Sequence, residues 1–214
     1  MTQAKICGIN SRDAMRESIE GGADFVGLVF YPRSPRAVTA IEAAQLVHGI
    51  PDHVGKVGLF VDLGDDMMTA ILSQVSLDLL QLHGAETPAR VQEIRQLTNI
   101  PVMKAIRVAT ESDITEANSY VDVADCILFD AKAPPDMKGA LPGGNAVTFD
   151  WNLLAGRKWP CPWMLSGGLH AGNVAAAIAT SGTPSVDVSS GVESSPGIKD
   201  SARIREFLTI VKGL

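Results

Sequence analysis

The chain has 214 residues, of which 46% are hydrophobic, and its formal net charge is −6. A chain of this length can bury a large core in one domain or at most two. Because the charge balance is acidic and no Lys/Arg run occurs, we expect neither nucleic acid nor an anionic membrane as a partner.

Short apolar segments alternate with helical patterns along the chain. Predicted helices begin at Ser11 as a cap, at Thr39 with Glu42 as a capping box, and at Thr87-Pro88 with proline in the first turn. Acidic residues open the helix that we expect over 65–75. The other helices are expected over 111–119, 150–155, 171–180 and 198–211. We predict eight strands, at 4–7, 25–30, 54–61, 77–82, 101–107, 124–129, 161–165 and 185–188.

Eight strand–helix units without a linker predict a single α/β domain over residues 1–214, folded as a (β/α)8 TIM barrel. A doubly wound parallel sheet is the structural alternative. Against it, the first strand ends in the turn CGIN, which is not the G-x-G-x-x-G loop of dinucleotide-binding folds. In a barrel, the active site lies at the carboxyl ends of the strands, so we expect the functional side chains there.

Two glycine-bearing turns follow the last two predicted strands. They supply Gly167, Gly168, Ser189, Ser190 and Gly191 as candidate phosphate ligands. Glycine lets backbone N–H groups approach an anion closely, and barrels commonly bind phosphate after strands seven and eight. Either turn alone is also typical of an ordinary strand–helix connection. The pair together predicts a small phosphorylated ligand.

Two reactive groups stand at predicted strand ends. Cys7 ends the first strand and shares a face with Lys5, whose charge would lower the pKa of the thiol and favour thiolate. A buried structural cysteine is the alternative. Asp130 follows the sixth strand and can point into the barrel mouth. It is not the cap of the next helix, which begins near Asp150, and the long intervening loop favours a functional role.

Three further polar residues are candidates for substrate binding. Arg36 can clamp a carboxylate with two hydrogen bonds, or can be a solvated loop residue. Gln81 and His83 share a face at the end of the fourth strand, where they line the mouth or satisfy loop backbone groups. The other histidines lack ligand-like spacing, so no metal site is expected.

The cysteines and the hydropathy pattern indicate a cytoplasmic protein. Three cysteines, Cys7, Cys126 and Cys161, are odd in number and widely spaced, which predicts no disulfide framework. The first residues lack the apolar core of a signal peptide, and no run of about 18 apolar residues predicts a membrane span.

An ordered set of motifs resembles the phosphoribosylanthranilate isomerases over residues 5 to about 200. The motifs are KICG at 5–8, FY at 30–31, SPR at 34–36, QLHG at 81–84, FDAK at 129–132, TFDW at 148–151, SGGL at 166–169 and VDVSSGVE at 186–193. Each is modest by itself, whereas the set in this order and spacing is specific. Asn10 stands where threonine is common in the family.

The resemblance implies an Amadori rearrangement in tryptophan biosynthesis, from N-(5-phosphoribosyl)anthranilate to the 1-deoxyribulose 5-phosphate derivative. It further implies Cys7 as general base, Asp130 as general acid and Arg36 as the partner of the anthranilate carboxylate. The glycine and serine turns would hold the phosphate. Since the reaction needs no redox step or electron sink, no cofactor is expected. The sequence leaves open whether the protein is a monomer or a homodimer.

Two other functions compete with this interpretation. One is a different phosphate-binding barrel enzyme, such as a histidine-pathway isomerase or indole-glycerol-phosphate synthase, although a cysteine on the first strand is not expected there. The other is a barrel that binds a phosphorylated ligand without catalysis, against which the presence of both Cys7 and Asp130 argues.

Overall fold

The computed structural model describes residues 2–214, in which eight parallel strands close into a barrel. Each strand pairs with its neighbours in sequence, and the first pairs with the eighth. The strands are β1 (Gln3–Cys7), β2 (Phe25–Val29), β3 (Gly55–Phe60), β4 (Leu79–Leu82), β5 (Val102–Val108), β6 (Cys126–Ala131), β7 (Trp163–Leu165) and β8 (Ser185–Val188).

Helices cover the outside of the barrel. They are α1 (Arg12–Glu20), α2 (Ala40–Val47), α3 (Asp65–Leu72), α4 (Pro88–Thr98), α5 (Glu111–Glu116), α6 (Val174–Ser181) and α7 (Ser201–Lys212). Within residues 2–214, no helix is long and apolar enough to cross a membrane.

The side chains of the strands alternate between two layers, as the pleat requires. Those that face outward pack with the helices into the main core, which includes Val26, Leu80 and Ile127. Those that face the lumen include Met103, Leu128 and Met164, which form a separate apolar cluster. The lumen between these side chains is therefore a packed interior.

The predicted barrel is confirmed, and the doubly wound alternative is wrong because β1 pairs with β8. All eight strands lie where the apolar segments predict them, with ends that differ by one or two residues. The predicted caps are also present: the Ser11 side chain accepts from the backbone N–H of Ala14, and Thr39 forms a capping box with Glu42.

Two helix predictions need correction, and two other helices differ by three residues at one end. Helix α3 ends at Leu72 instead of residue 75, and α6 begins at Val174 instead of residue 171. The segment expected to be helical over 150–155 is a short 3₁₀ helix (Trp151–Leu154), and Gly156 at φ +69° turns the chain away just after its end. The last helix does not begin at Ile198: that residue belongs to a small antiparallel pair, β9 (Glu193–Ser195) and β10 (Ile198–Lys199). The turn of the pair contains Gly197 at φ +83°, and Asp200 then caps α7.

Candidate active site

A cleft opens at the carboxyl ends of the strands. Its wall brings together side chains that lie far apart in the sequence. The predicted site residues on this wall are Cys7, Arg36, Gln81, His83, Asp130, Gly167, Gly168, Ser189 and Ser190.

Cys7 closes β1 and lies beside Lys5 at the floor of the cleft. A Cβ atom at Gly27 on β2 would lie 3.0 Å from Cys7 Sγ and 3.2 Å from Lys5 Nζ, so only glycine leaves room for both groups. Burial raises the pKa of the Cys7 thiol. Lys5 and Lys199 oppose this effect, while the Asp187 carboxylate adds to it. Lys5 lowers the pKa of Cys7, as expected, but desolvation is the larger effect and the net shift is upward.

Lys5 is completely buried in the lumen and is paired with a carboxylate on the neighbouring strand. Its ammonium lies 2.9 Å from Asp187 Oδ1 and 2.9 Å from Gln81 Oε1. Burial alone would lower the pKa of Lys5, but Asp187 and Cys7 together raise it above its ordinary value. The second Asp187 oxygen accepts from Ser166 Oγ at 3.0 Å. Lys5 is therefore a charged group whose donors are shared between two strands.

His83 connects this group to Asp130. Its Nδ1 lies 3.0 Å from Gln81 Nε2, and its Nε2 lies 3.1 Å from Asp130 Oδ2. The other carboxylate oxygen of Asp130 accepts from the backbone N–H of Ala131 at 2.9 Å. Both His83 and Asp130 are almost fully buried. The geometry fixes the Asp130 carboxyl group from two sides while it still faces the cleft.

Arg36 makes a two-point ion pair with Glu193. The distances are 2.7 Å from Arg36 Nε to Oε1 and 2.9 Å from Nη2 to Oε2. Glu193 also accepts from Lys199 Nζ at 2.7 Å and from the backbone N–H of Gly197 at 3.1 Å. Burial opposes the charge of Glu193, but Arg36 and Lys199 outweigh it and hold the pKa of this carboxyl below its ordinary value. Arg36 Nη1 does not join this ion pair, and it approaches Gly144 at the cleft.

The two glycine-bearing turns lie side by side at the mouth. Gly167 and Gly168 have φ values of +91° and +60°, a backbone that other residues rarely adopt. Ser189 precedes a short 3₁₀ helix (Ser190–Val192), and the hydroxyl of Ser189 donates to the carbonyl of Cys7 at 3.1 Å. Lys199 Nζ donates to the carbonyl of Ser189 at 2.9 Å and is itself buried. These contacts hold the second turn against the end of β1.

The comparisons with known proteins agree on one family. Residues 4–209 match the family model described as N-(5'phosphoribosyl)anthranilate (PRA) isomerase. The chain belongs to the phosphoribosylanthranilate isomerase family. An N-(5'-phosphoribosyl)anthranilate isomerase of Paramagnetospirillum magneticum is 58% identical over 99% of this chain and 97% of its own. A second, from Rhodospirillum centenum, is 53% identical over 99% of each chain.

Solved phosphoribosyl anthranilate isomerases have the same fold. The structure from Thermotoga maritima superposes with a TM-score of 0.87 at 37% identity and covers 100% of both chains. Another was solved in complex with reduced 1-(o-carboxyphenylamino)-1-deoxyribulose 5-phosphate, with a TM-score of 0.85 and 36% identity over 100% of both chains. The resemblance that the sequence motifs carry is thus confirmed.

Within this phosphoribosylanthranilate isomerase barrel, one predicted phosphate residue stands apart. Gly191 is not on the wall of the cleft: a Cβ atom there would lie 1.8 Å from the carbonyl oxygen of Leu169. Its lack of a side chain lets the two turns approach each other, and the wall itself is formed by Ser189 and Ser190.

Three charged residues of the site were missed by the sequence analysis: Asp187, Glu193 and Lys199. Asp187 could have been found, because the buried charge of Lys5 requires a counter-ion and a closed barrel places β8 beside β1. Lys5 and Asp187 are in fact register partners. Glu193 and Lys199 belong to β9 and β10, and no periodic pattern in the sequence indicates that hairpin.

Proposed function

We propose that this chain isomerises N-(5'-phosphoribosyl)anthranilate to 1-(2-carboxyphenylamino)-1-deoxyribulose 5-phosphate, with Cys7 as the general base and Asp130 as the general acid. The observation that supports these roles is that one cleft contains a thiol, a carboxyl group and two glycine-bearing turns. The reaction is the one after which the family is named.

The acid begins the reaction. Asp130 delivers a proton to the furanose ring oxygen, the bond from C1′ to that oxygen breaks, and the anthranilate nitrogen forms a Schiff base with C1′. The Asp130 carboxyl group suits this task because hydrogen bonds from Ala131 and His83 hold it at the cleft.

The base acts in the second half of the reaction. The Cys7 thiolate removes the proton on C2′, which gives an enolamine with a hydroxyl group on C2′. The enolamine becomes the ketone when C1′ takes up a proton and the C2′ hydroxyl loses one. Lys5 supplies positive charge next to the sulfur, which favours thiolate in a buried position.

The ends of the substrate fix its orientation. We assign the phosphate to the backbone N–H groups of Gly167, Gly168, Ser189 and Ser190, as at other barrel phosphate sites. The anthranilate carboxylate is assigned to Arg36, whose Nη1 is the part of the guanidinium that Glu193 does not engage. The sequence predicts Gln81 and His83 as substrate ligands, but their side-chain nitrogen and oxygen atoms are bonded to protein groups. We therefore place them behind the substrate.

The test is the loss of phosphoribosylanthranilate fluorescence with the purified chain. Cys7→Ser and Asp130→Asn are each expected to lower kcat by at least about 10²-fold, the usual scale for general acid–base groups. Cys126→Ser and Asp66→Asn are matched controls, since Cys126 begins β6 at the opposite end and Asp66 is exposed on α3. Near-normal turnover in Cys7→Ser or Asp130→Asn contradicts that residue's assignment, and inactivity of the unmodified chain contradicts the function.

A further inference from the structure

Four buried polar side chains form one continuous line from the lumen to the cleft. Lys5 Nζ lies 2.9 Å from Gln81 Oε1, and Gln81 Nε2 lies 3.0 Å from His83 Nδ1. His83 Nε2 then lies 3.1 Å from Asp130 Oδ2. Lys5 and Gln81 have no exposed surface, and His83 and Asp130 are 5% and 3% exposed, so protein groups determine these donor and acceptor roles.

The hydrogen bond from Lys5 to Gln81 determines the direction of the other two. An ammonium group has only donors, so the Gln81 atom that faces Lys5 must be the amide oxygen. The Gln81 amide nitrogen is then turned toward His83 and donates, which requires Nδ1 of His83 to be an acceptor. In the neutral ring the proton must therefore reside on Nε2, from which it is donated to Asp130.

We propose that Gln81 is a positioning residue that holds His83 neutral with its proton on Nε2, so that His83 stabilises the carboxylate that forms when Asp130 gives up its proton. This inference rests on the proposed role of Asp130 as the acid. Hydrogen-bond donors aimed at a charge that develops during the reaction are among the most effective catalytic devices.

The other two states of His83 would each impair the acid. With the proton on Nδ1, the bare Nε2 would compete with the substrate for the Asp130 proton. As an imidazolium, His83 would hold Asp130 as a carboxylate before the reaction begins. The Gln81 amide excludes both states, because it presents an N–H rather than an oxygen to Nδ1.

The first test needs no turnover. Long-range proton–nitrogen NMR of ¹⁵N-histidine-labelled protein at neutral pH reports the state of each ring nitrogen, and His83→Asn identifies the His83 signals among the four histidines. We expect an unprotonated Nδ1 and a protonated Nε2. A signal from protonated Nδ1 in the unmodified protein overturns the inference.

The second test replaces the Gln81 amide by a carboxylate of nearly the same shape. Gln81→Glu presents a second oxygen to Nδ1, so we expect Nδ1 to become protonated and kcat to fall by at least about tenfold, because a wrong histidine tautomer is costly in catalysis. The dissociation constant of reduced 1-(o-carboxyphenylamino)-1-deoxyribulose 5-phosphate is expected to change much less. Gln92→Glu adds the same charge on the exposed face of α4 and should change neither property.

The outcomes separate this inference from the proposed function. If Gln81→Glu leaves Nδ1 unprotonated, or protonates it without loss of kcat, the inference is wrong even when Asp130→Asn is inactive. If Asp130→Asn is active, the acid assignment fails whatever the state of His83. If Gln81→Glu does not fold, Gln81→Met is the alternative variant, because it removes the N–H donor to Nδ1. A His83 ring that remains purely Nε2-protonated in Gln81→Met contradicts the proposed role of Gln81.

Discussion

At the scale of single residues, burial and opposing charges together determine the pKa of the Cys7 thiol. Burial raises its pKa, Lys5 and Lys199 lower it, and Asp187 raises it again. The net effect is a pKa of Cys7 above its ordinary value. Because the thiolate is the reactive form, a rate that depends on it increases as the pH rises toward the raised pKa.

Substitution of the two neighbours separates these contributions. We predict that Asp187→Asn lowers the pKa of Cys7, because an anion next to the thiolate is removed, and that Lys5→Met raises it, because a cation is lost. The measurement is the rate of iodoacetamide alkylation of the Cys7 peptide against pH, followed by mass spectrometry.

Cys126 provides an internal control in the same samples. Burial, with Cys161 nearby, raises the pKa of Cys126 to about 12, so its peptide should remain poorly alkylated at neutral pH in every variant. Shifts of Cys7 in the same direction for Asp187→Asn and Lys5→Met would contradict the account of its surroundings.

At the scale of elements, the long loop after β6 covers the acid. This loop, residues 132–150, contributes Leu141, Pro142, Gly143 and Gly144 to the wall of the cleft. Asn145 ties it together, since its side chain accepts from the N–H of Leu141 at 2.9 Å and donates to the carbonyl of Leu141 at 2.7 Å. The glycines bring backbone directly over His83, Asp130 and Arg36.

Gly143→Ala should therefore impair catalysis more than folding. The added methyl group would lie 2.6 Å from His83 Cε1 and 2.7 Å from Asp130 Oδ2, so the loop must lift or the His83–Asp130 pair must separate. We expect a loss of about tenfold in kcat/KM, on the scale that small misplacements near reacting groups produce. Steady-state kinetics checks this, with the thermal transition as the measure of folding.

Gly64→Ala is the matched control for this change. Gly64 caps α3 with a negative φ of −76°, and a Cβ atom there meets nothing within 4 Å. Its kcat/KM should stay within about twofold of the unmodified enzyme, since no site group is disturbed. Equal losses in Gly143→Ala and Gly64→Ala would contradict a specific contact over the acid.

The predictability of the elements follows from the range of the interactions that form them. Caps such as Ser11 and Thr39 act within three residues, so the sequence reveals them directly. The strand ends at Cys7 and Asp130 were predictable because buried parallel strands are short apolar runs. The β9–β10 hairpin was not, because Glu193 in it is held by Arg36, 157 residues away. The sequence thus predicts which residues lie at strand ends, but it does not predict the partners of each site residue.

At the scale of the whole molecule, the barrel carries a further buried charge pair, which lies outside the lumen and away from the cleft. Lys104 on β5 faces away from the lumen, and its ammonium lies 2.8 Å from Glu86 Oε2 and 2.9 Å from the carbonyl of Gly84. Glu86 in turn accepts from the N–H groups of Asp62 and Gly84. This pair joins the connections after β3 and β4, and it therefore supports the end of β4, where Gln81 and His83 lie.

Removal of one partner of this pair should be costly for the entire fold. Both side chains are only 3% exposed, so Lys104→Met leaves the Glu86 charge buried without its cation, and we expect a loss of about 3–5 kcal/mol in the free energy of unfolding. The measurement is urea denaturation, with circular dichroism and fluorescence as independent probes of one cooperative transition.

Arg16→Met is the control: Arg16 is 56% exposed beside an Asp13 side chain that is 77% exposed, and an ion pair in water contributes at most about 1 kcal/mol. If the two variants lose similar amounts, the Lys104–Glu86 pair does not stabilise the barrel beyond an ordinary surface contact.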